Sequence, residues 1–330
     1  MFLEFYALKE QPFGVTPDPR FLYLSPAHRE ALASLVYGIE SGHGFLALIA
    51  KPGMGKTTLL FDLLERLSHS ARTVFIFHTQ CTSREFIRLV LAELGCKTPG
   101  DQDFVAMHEE FNRRLLQEAR AGRRFVLVID EAQNLEPAVL ETVRLLSDFE
   151  TPRAKLLQII LAGQPELADK LANPSLRQLR QRISLLNSLP PLPFEQVERY
   201  IEHRLSIAGH SGGSIFTPTA RKMIAELSGG IPRAINNYCF SALSLGCALQ
   251  HKSIDVDILQ EVALDFDLTS LVSESITPGE SGLSTSQTLG LGIEPFRVRM
   301  KTPPPRATPD ELPTPEDALA YIHQFIKVMN

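Results

Sequence analysis

The sequence predicts an α/β fold: a parallel sheet laced with helices, carrying a small all-helical domain behind it. Three observations predict it. Largely apolar runs of strand length recur at residues 45–49, 73–78, 125–129 and 156–161, which read as buried strands, and residues 183–189 read as a short strand. Stretches with apolar residues at helical spacing separate them. Past Pro190-Pro191-Leu192-Pro193, which reads as a hinge, only the helical pattern continues.

Length and composition set the bounds. The 330 residues suggest two domains, or one large domain with appendages. With 44% hydrophobic and 22% charged residues the chain falls among ordinary globular proteins. A net charge of −5 gives no bulk argument for a nucleic-acid partner. Cys81, Cys96, Cys239 and Cys247 show neither a CxxC pair nor metal-ligand spacing, so they read as reduced thiols of a cytoplasmic protein. The first residues lack the pattern of a secretory leader. No apolar run reaches the roughly 18 residues that a membrane span needs.

The elements follow in order. Residues 1–25 are dense in Phe, Tyr and Pro and read as an extended segment that wraps the core. Ser25-Pro26 is an N-cap and first helical residue; Leu32, Leu35, Val36 and Ile39 follow at helical spacing, and Gly42 stops the helix. That helix precedes a phosphate-type loop. His28 and Arg29 at its start therefore read either as part of a nucleotide-pocket wall or as plain surface.

The strand at 45–49 runs into Ala50-Lys51-Pro52-Gly53-Met54-Gly55-Lys56-Thr57-Thr58, and a Leu-rich helical face begins at Leu59. This is the phosphate-binding loop pattern, with Ala50 at the usual first Gly. Gly53 and Gly55 let the backbone curl so that N–H groups face phosphate oxygens. The helix beginning near Lys56 adds the positive end of its dipole. Lys56 is placed to reach the β- and γ-phosphates, and the Thr57 hydroxyl suits Mg²⁺. Ala fits the first position only with a negative φ.

Helices at 83–94 and 104–121 precede the strand at 125–129, which ends in Asp130-Glu131. Asp130 suits Mg²⁺ through its water shell. Glu131 suits polarising a water that attacks the γ-phosphate. A helix at 137–149 and the strand at 156–161 follow. Gln164 then stands either beside Asp130, if the two strands are neighbours, or as the cap of a helix opened by Pro165. Arg177, Arg180 and Arg182 precede the last strand. They decorate a solvated helix or, in an oligomer, reach a neighbour's γ-phosphate.

In the helical domain Thr217-Pro218 caps a second helix, Gly229-Gly230 closes it, and Pro232 opens a third. Arg233 in the third helix's first turn opposes the helix dipole and so is read as aimed at a phosphate. A fourth helix spans residues 255–264. From residue 269 to 313 Ser, Thr, Gly and Pro dominate, as in a flexible linker. Residues 314–330 carry Leu319, Ile322, Ile326 and Met329 on one stripe, a terminal helix suited to docking.

Several motifs narrow the reading: Phe5-Tyr6-x-Leu8-x-x-x-Pro12-Phe13, Thr16-Pro17-Asp18-Pro19-Arg20-Phe21, His28-x-Glu30-Ala31-Leu32, Asp130-Glu131-Ala132-Gln133, Leu161-Ala162-Gly163-Gln164-Pro165-Glu166-Leu167 and Gly230-Ile231-Pro232-Arg233. Together they resemble the AAA+ secretion ATPases of the ExeA, or general secretion pathway protein A, type over about residues 1–266. The resemblance implies a P-loop core (26–189), a helical lid (190–268), ATP and Mg²⁺ as ligands, and a homo-oligomer. It makes the loop at 50–58 Walker A, Asp130 and Glu131 Walker B, Gln164 sensor 1 and Arg233 sensor 2. It makes Arg182 the first arginine-finger candidate and Arg180 the second. It implies a cytoplasmic ATPase with a protein partner in an envelope or secretion system. A DNA-associated AAA+ switch is the alternative, and a non-hydrolysing adaptor a third reading. Longer relatives continue into a membrane span and a wall-binding domain that these 330 residues do not contain.

Overall fold

The computed structural model describes residues 2–77, 79–96, 103–151 and 154–274. The chain divides into two units, residues 1–265 and 266–330. Most of the expected linker and the whole terminal helix lie outside the described residues.

The sheet has five parallel strands: β1 (Phe45–Ala50), β2 (Ala71–Ile76), β3 (Arg124–Ile129), β4 (Leu157–Gly163) and β5 (Ile183–Leu189). Their order across the sheet is β2-β3-β4-β1-β5. β1 and β4 are buried at every residue, which is why β1 reads as an unbroken apolar run and β4 as one interrupted only by Gln158. β5 is the edge strand, and its burial alternates along Ser184, Leu186 and Ser188. β2 starts two residues earlier than the apolar run suggested, because Ala71 and Arg72 pair with Arg124 and Phe125.

Helices cover both faces. One face, with Phe45, Leu127, Ile159 and Leu161, packs on Phe86 of α3 (Ser83–Glu93), Phe111 of α4 (Phe104–Arg120), Val143 of α5 (Pro137–Leu146) and Leu167 of α6 (Pro165–Ala172). Each such side chain contributes about 1.5–3 kcal/mol of burial. The other face packs on α1 (Pro26–Glu40) and α2 (Lys56–Leu67). There a Cβ at Gly38 of α1 would fall 2.6 Å from Leu46 of β1, so glycine lets the helix sit close to the sheet. A short helix α7 (Arg177–Arg182) leads into β5.

Putting β1 between β4 and β5 creates a switch point at the carboxyl ends of the strands, where open α/β sheets bind ligands. The loop after β1, the acids after β3 and the glutamine after β4 all leave the sheet at this edge.

The lid is α8 (Phe194–Ile207), α9 (Pro218–Ser228) and α10 (Pro232–Ala248), with α11 (Val256–Glu274) beyond. α11 runs ten residues past the expected end at 264 and through the expected start of the linker at 269. The segment contains neither Gly nor Pro, so nothing in it breaks a helix. The hinge is tied to the lid by the Leu192 N–H, which donates to the Gly230 carbonyl at 2.9 Å. Gly230 has φ 73°, and a Cβ there would fall 2.1 Å from the Leu192 carbonyl oxygen, so only glycine fits.

The N-terminal segment wraps the lid rather than the sheet. Lys9 N–H donates to the Ala208 carbonyl at 2.8 Å, Tyr6 OH to the His251 carbonyl at 2.9 Å, and Asn236 Nδ2 to the Gly14 carbonyl at 3.3 Å. It is not wholly extended: Phe2–Phe5 forms one helical turn and Pro19–Phe21 a 3₁₀ turn. Among the described residues no helix is long and apolar enough to cross a membrane.

Candidate functional site

The phosphate loop folds as its residue types require. Ala50 is the last residue of β1 and is not among the residues with positive φ, so its methyl group is accommodated there. Gly53 and Gly55 have φ of 78° and 86°. α2 begins directly at Lys56, and its N-cap, Gly55, supplies no side-chain hydrogen bond to the free N–H groups of the first turn. Lys51 and Pro52 are exposed, Thr57 and Thr58 half-buried, and Met54 is buried. Met54 therefore anchors the loop.

The next pieces converge on the loop. Thr57 Oγ1 donates to Asp130 Oδ2 at 2.7 Å, and the Glu131 N–H donates to Asp130 Oδ1 at 2.9 Å. Lys56 Nζ lies 3.7 Å from Glu131 Oε1. Asp130 is 2% exposed, and burial pushes its carboxyl up despite the Thr57 hydroxyl and the Lys56 charge. Burial also acts to raise Glu131, but the amides of Gln133 and Gln164, together with Lys56, outweigh it and hold that carboxyl below its ordinary value. Glu131 sits in the left-handed region, φ 51° and ψ 37°, a conformation that side chains of its size seldom adopt.

β3 and β4 are neighbours, so Gln164 does approach the acids, but it meets Glu131 rather than Asp130. Its Nε2 donates to Glu131 Oε2 at 3.0 Å. Its side chain does not cap α6. Gln133, which stands in the motif without a role assigned from sequence, completes the cluster. Its Nε2 donates to the same Glu131 Oε2 at 2.5 Å, and its Oε1 accepts the Gln164 N–H at 3.1 Å. Gly163 leaves room for this amide, since a Cβ there would fall 2.7 Å from Gln133 Oε1.

The lid closes the other side. Arg233 N–H donates to the Gly53 carbonyl at 3.1 Å, and a Cβ at Gly53 would fall 2.7 Å from the Arg233 Cβ. Among the described residues the Arg233 guanidinium has no ion pair. It lines a cleft of about 210 Å³ together with Lys56, Thr57, Glu131, Gln164 and Asn236. A smaller cavity beside it is lined by Phe21, His28, Thr58, Tyr200 and Arg204. Arg204 is buried between the rings of Phe21 and Tyr200, and its guanidinium donates to the carbonyls of Pro12 and Gly14. The N-terminal segment and the lid thus build the far wall together.

The structure brings together Lys56, Thr57, Asp130, Glu131, Gln164 and Arg233. It does not bring Arg180 or Arg182 to this cleft. Arg182 is held by Asp148, and by Ser147 Oγ at 2.8 Å, at the end of α5. Arg180 is exposed and has no ion pair among the described residues. At the start of α1 the plain-surface reading fits Arg29, which is exposed, but not His28, which is 3% exposed. The cap at Ser25 turns the first helical turn inward, against the loop.

The chain is similar to known proteins in sequence and in fold. A family model described as an AAA domain matches residues 39–171. General secretion pathway protein A of Aeromonas hydrophila is 41% identical over 259 residues, covering 78% of this chain and 47% of the relative. The chain thus spans about half the length of that relative. The Aeropyrum pernix ORC2 protein in ADPNP–ADP complexes superposes with a TM-score of 0.58 at 16% identity, covering 77% of this chain and 71% of that one. Drosophila ORC bound to DNA gives 0.60 at 18% identity, covering 83% and 67%. At these identities the two structures speak for the fold alone.

Proposed function

We propose that the chain is a Mg²⁺-dependent ATPase of the AAA+ proteins, of the general secretion pathway protein A type to which its 41% identical relative belongs. It works as an oligomeric motor or switch of a secretion or cell-envelope assembly system. The observation that carries the reading is the joined cluster of Thr57 with Asp130 and Lys56 with Glu131 at the mouth of the phosphate loop. Each group has a separate task. The Gly53–Thr58 backbone and Lys56 bind the phosphates. The Thr57 hydroxyl donates its hydrogen bond to Asp130, which leaves an oxygen lone pair beside a buried carboxylate, a hard-oxygen pair that suits Mg²⁺. When bound there, the ion neutralises charge on the β- and γ-phosphate oxygens.

Glu131 accepts the proton of a water that attacks the γ-phosphorus in line, as the bond to the ADP oxygen breaks. Gln164 and Arg233 donate to the γ-phosphate from opposite sides of the cleft, and a neighbour's arginine completes the charge stabilisation. The Lys56–Glu131 pair then exchanges for Lys56–phosphate.

The protein works with a partner of the envelope, a reading supported by its likeness to a general secretion pathway protein. We place it in the cytoplasm, at the inner membrane through that partner. The test is Mg²⁺-ATPase activity of the purified chain with its size measured in ATP. Glu131→Gln is expected to bind ATP without turning it over; wild-type turnover in that variant removes Glu131 as the base. Salt-sensitive DNA binding by the ATP-loaded protein would favour the DNA-associated reading instead.

A further inference from the structure

We propose that His28 is a positioning residue that fixes the Met54–Gly55 peptide of the phosphate loop. The proposal rests on the reading of that loop as a nucleotide site. His28 comes from α1, outside the loop, and is almost fully buried. Its Nε2 lies 3.1 Å from the Met54 carbonyl oxygen and its Nδ1 lies 2.8 Å from Ser25 Oγ. A carbonyl only accepts, so Nε2 carries the proton, and Nδ1 accepts the Ser25 hydroxyl. Ser25 Oγ in turn accepts the His28 N–H at 3.3 Å. One helix cap thus sets the tautomer that grips the loop.

The grip falls where the loop is least able to hold itself. Glycines of positive φ flank Met54 on both sides, so little in the backbone opposes rotation of the peptides between them. The loop's own bond, Met54 N–H to the Lys51 carbonyl, is long at 3.4 Å. Two successive carbonyls are instead held from outside: Gly53 by the Arg233 N–H of the lid, Met54 by His28. A trans peptide is planar, so a Met54 carbonyl directed at His28 sends the Gly55 N–H the opposite way. That N–H is one of the donors a phosphate needs, and His28 keeps it from turning.

The experiment uses the full chain with His28→Phe and His28→Gln. Phe fills the space without a donor; Gln places an amide N–H near the position of Nε2. In nucleotide-free protein, His28→Phe should speed amide exchange in peptides covering residues 51–57 and leave β3 unchanged. With MgATP it should raise KM about tenfold at little change in kcat, as a lost buried hydrogen bond predicts. His28→Gln should recover most of both. Loop exchange unchanged in His28→Phe, or equal losses in Phe and Gln variants of equal Tm, overturns the proposal. A wild-type chain that binds no nucleotide defeats the functional reading, while the exchange result still decides the role of His28.

Discussion

The Gln133 side-chain amide donates to Oε2 of Glu131 at 2.5 Å, across the left-handed backbone of Glu131 itself. This contact, with that from Gln164, lowers the carboxyl that the ATPase reading uses as its base. Gln133→Leu removes one donor and lets the Glu131 carboxyl rise. The acid limb of the kcat–pH profile should therefore move to higher pH, while kcat at neutral pH, where the carboxylate stays ionised in both proteins, should change little. ATP affinity should hold, because Gln133 is not among the residues lining the cleft. A variant with a wild-type pH profile would mean that Gln133 does not tune the base.

Arg180 and Arg182 predict different losses. Arg182 is paired with Asp148 and bonded to the end of α5, so Arg182→Ala should act first on stability. It is half-exposed, so the loss should stay within about 1 kcal/mol. Arg180 is the charge left open to a neighbour. Arg180→Ala should cut kcat by about 10³-fold, in the range of arginine fingers, while ATP binding stays intact. Mixing it with Lys56→Ala subunits tests the point: Arg180 supplied in trans should restore part of the rate, and no recovery at any ratio would deny it the role.

Gly230 predicts the cost of disturbing the hinge. A methyl group there meets the Leu192 carbonyl oxygen at 2.1 Å, and the backbone is left-handed as well. Gly230→Ala should destabilise by about 2–3 kcal/mol, read as a shift in a denaturant midpoint. Gly229→Ala shares the left-handed φ but meets nothing within 4 Å, so it should cost clearly less. Equal losses would leave the Leu192 contact without weight.

Lys56, Thr57, Asp130 and Glu131 are legible in the sequence for one reason. Each follows an apolar run that ends at the same sheet edge, so strand spacing alone gathers them. Gln164 is legible in position, but its partner is not, because the left-handed turn at Glu131 decides which acid faces it. Gln133 stands in the motif, yet its contacts depend on that same turn and on the missing Cβ at Gly163. His28 is hidden more deeply. Its partner lies 26 residues on, and only the docking of α1 against the loop brings them together. The pairing of Arg182 with Asp148 likewise joins the ends of two helices 34 residues apart. The reach of α11 is hidden because Ser and Thr enrichment reads as a linker, while the absence of Gly and Pro from residues 256–274 leaves the helix uninterrupted.

His28 also predicts how stability depends on pH. Burial holds its pKa below the ordinary 6.5, although the contact with the Met54 carbonyl pulls the other way. In the unfolded chain the imidazole titrates near its ordinary value. Between those two pKa values the unfolded state binds more protons than the folded one, so stability declines as pH falls. The contribution of His28 is present in full above about pH 6.5 and is lost as pH drops through the folded-state pKa. His108 and His203 are lowered by burial too, so wild-type acid sensitivity sums several groups. The difference between wild type and His28→Gln isolates this one, since Gln does not titrate. Denaturant unfolding from pH 8 down to pH 5 should show the wild type losing stability faster than the variant below about pH 6.5. Parallel curves would show that His28 remains as easily protonated in the fold as in the open chain, and the neutral tautomer that grips Met54 would then lack its thermodynamic signature.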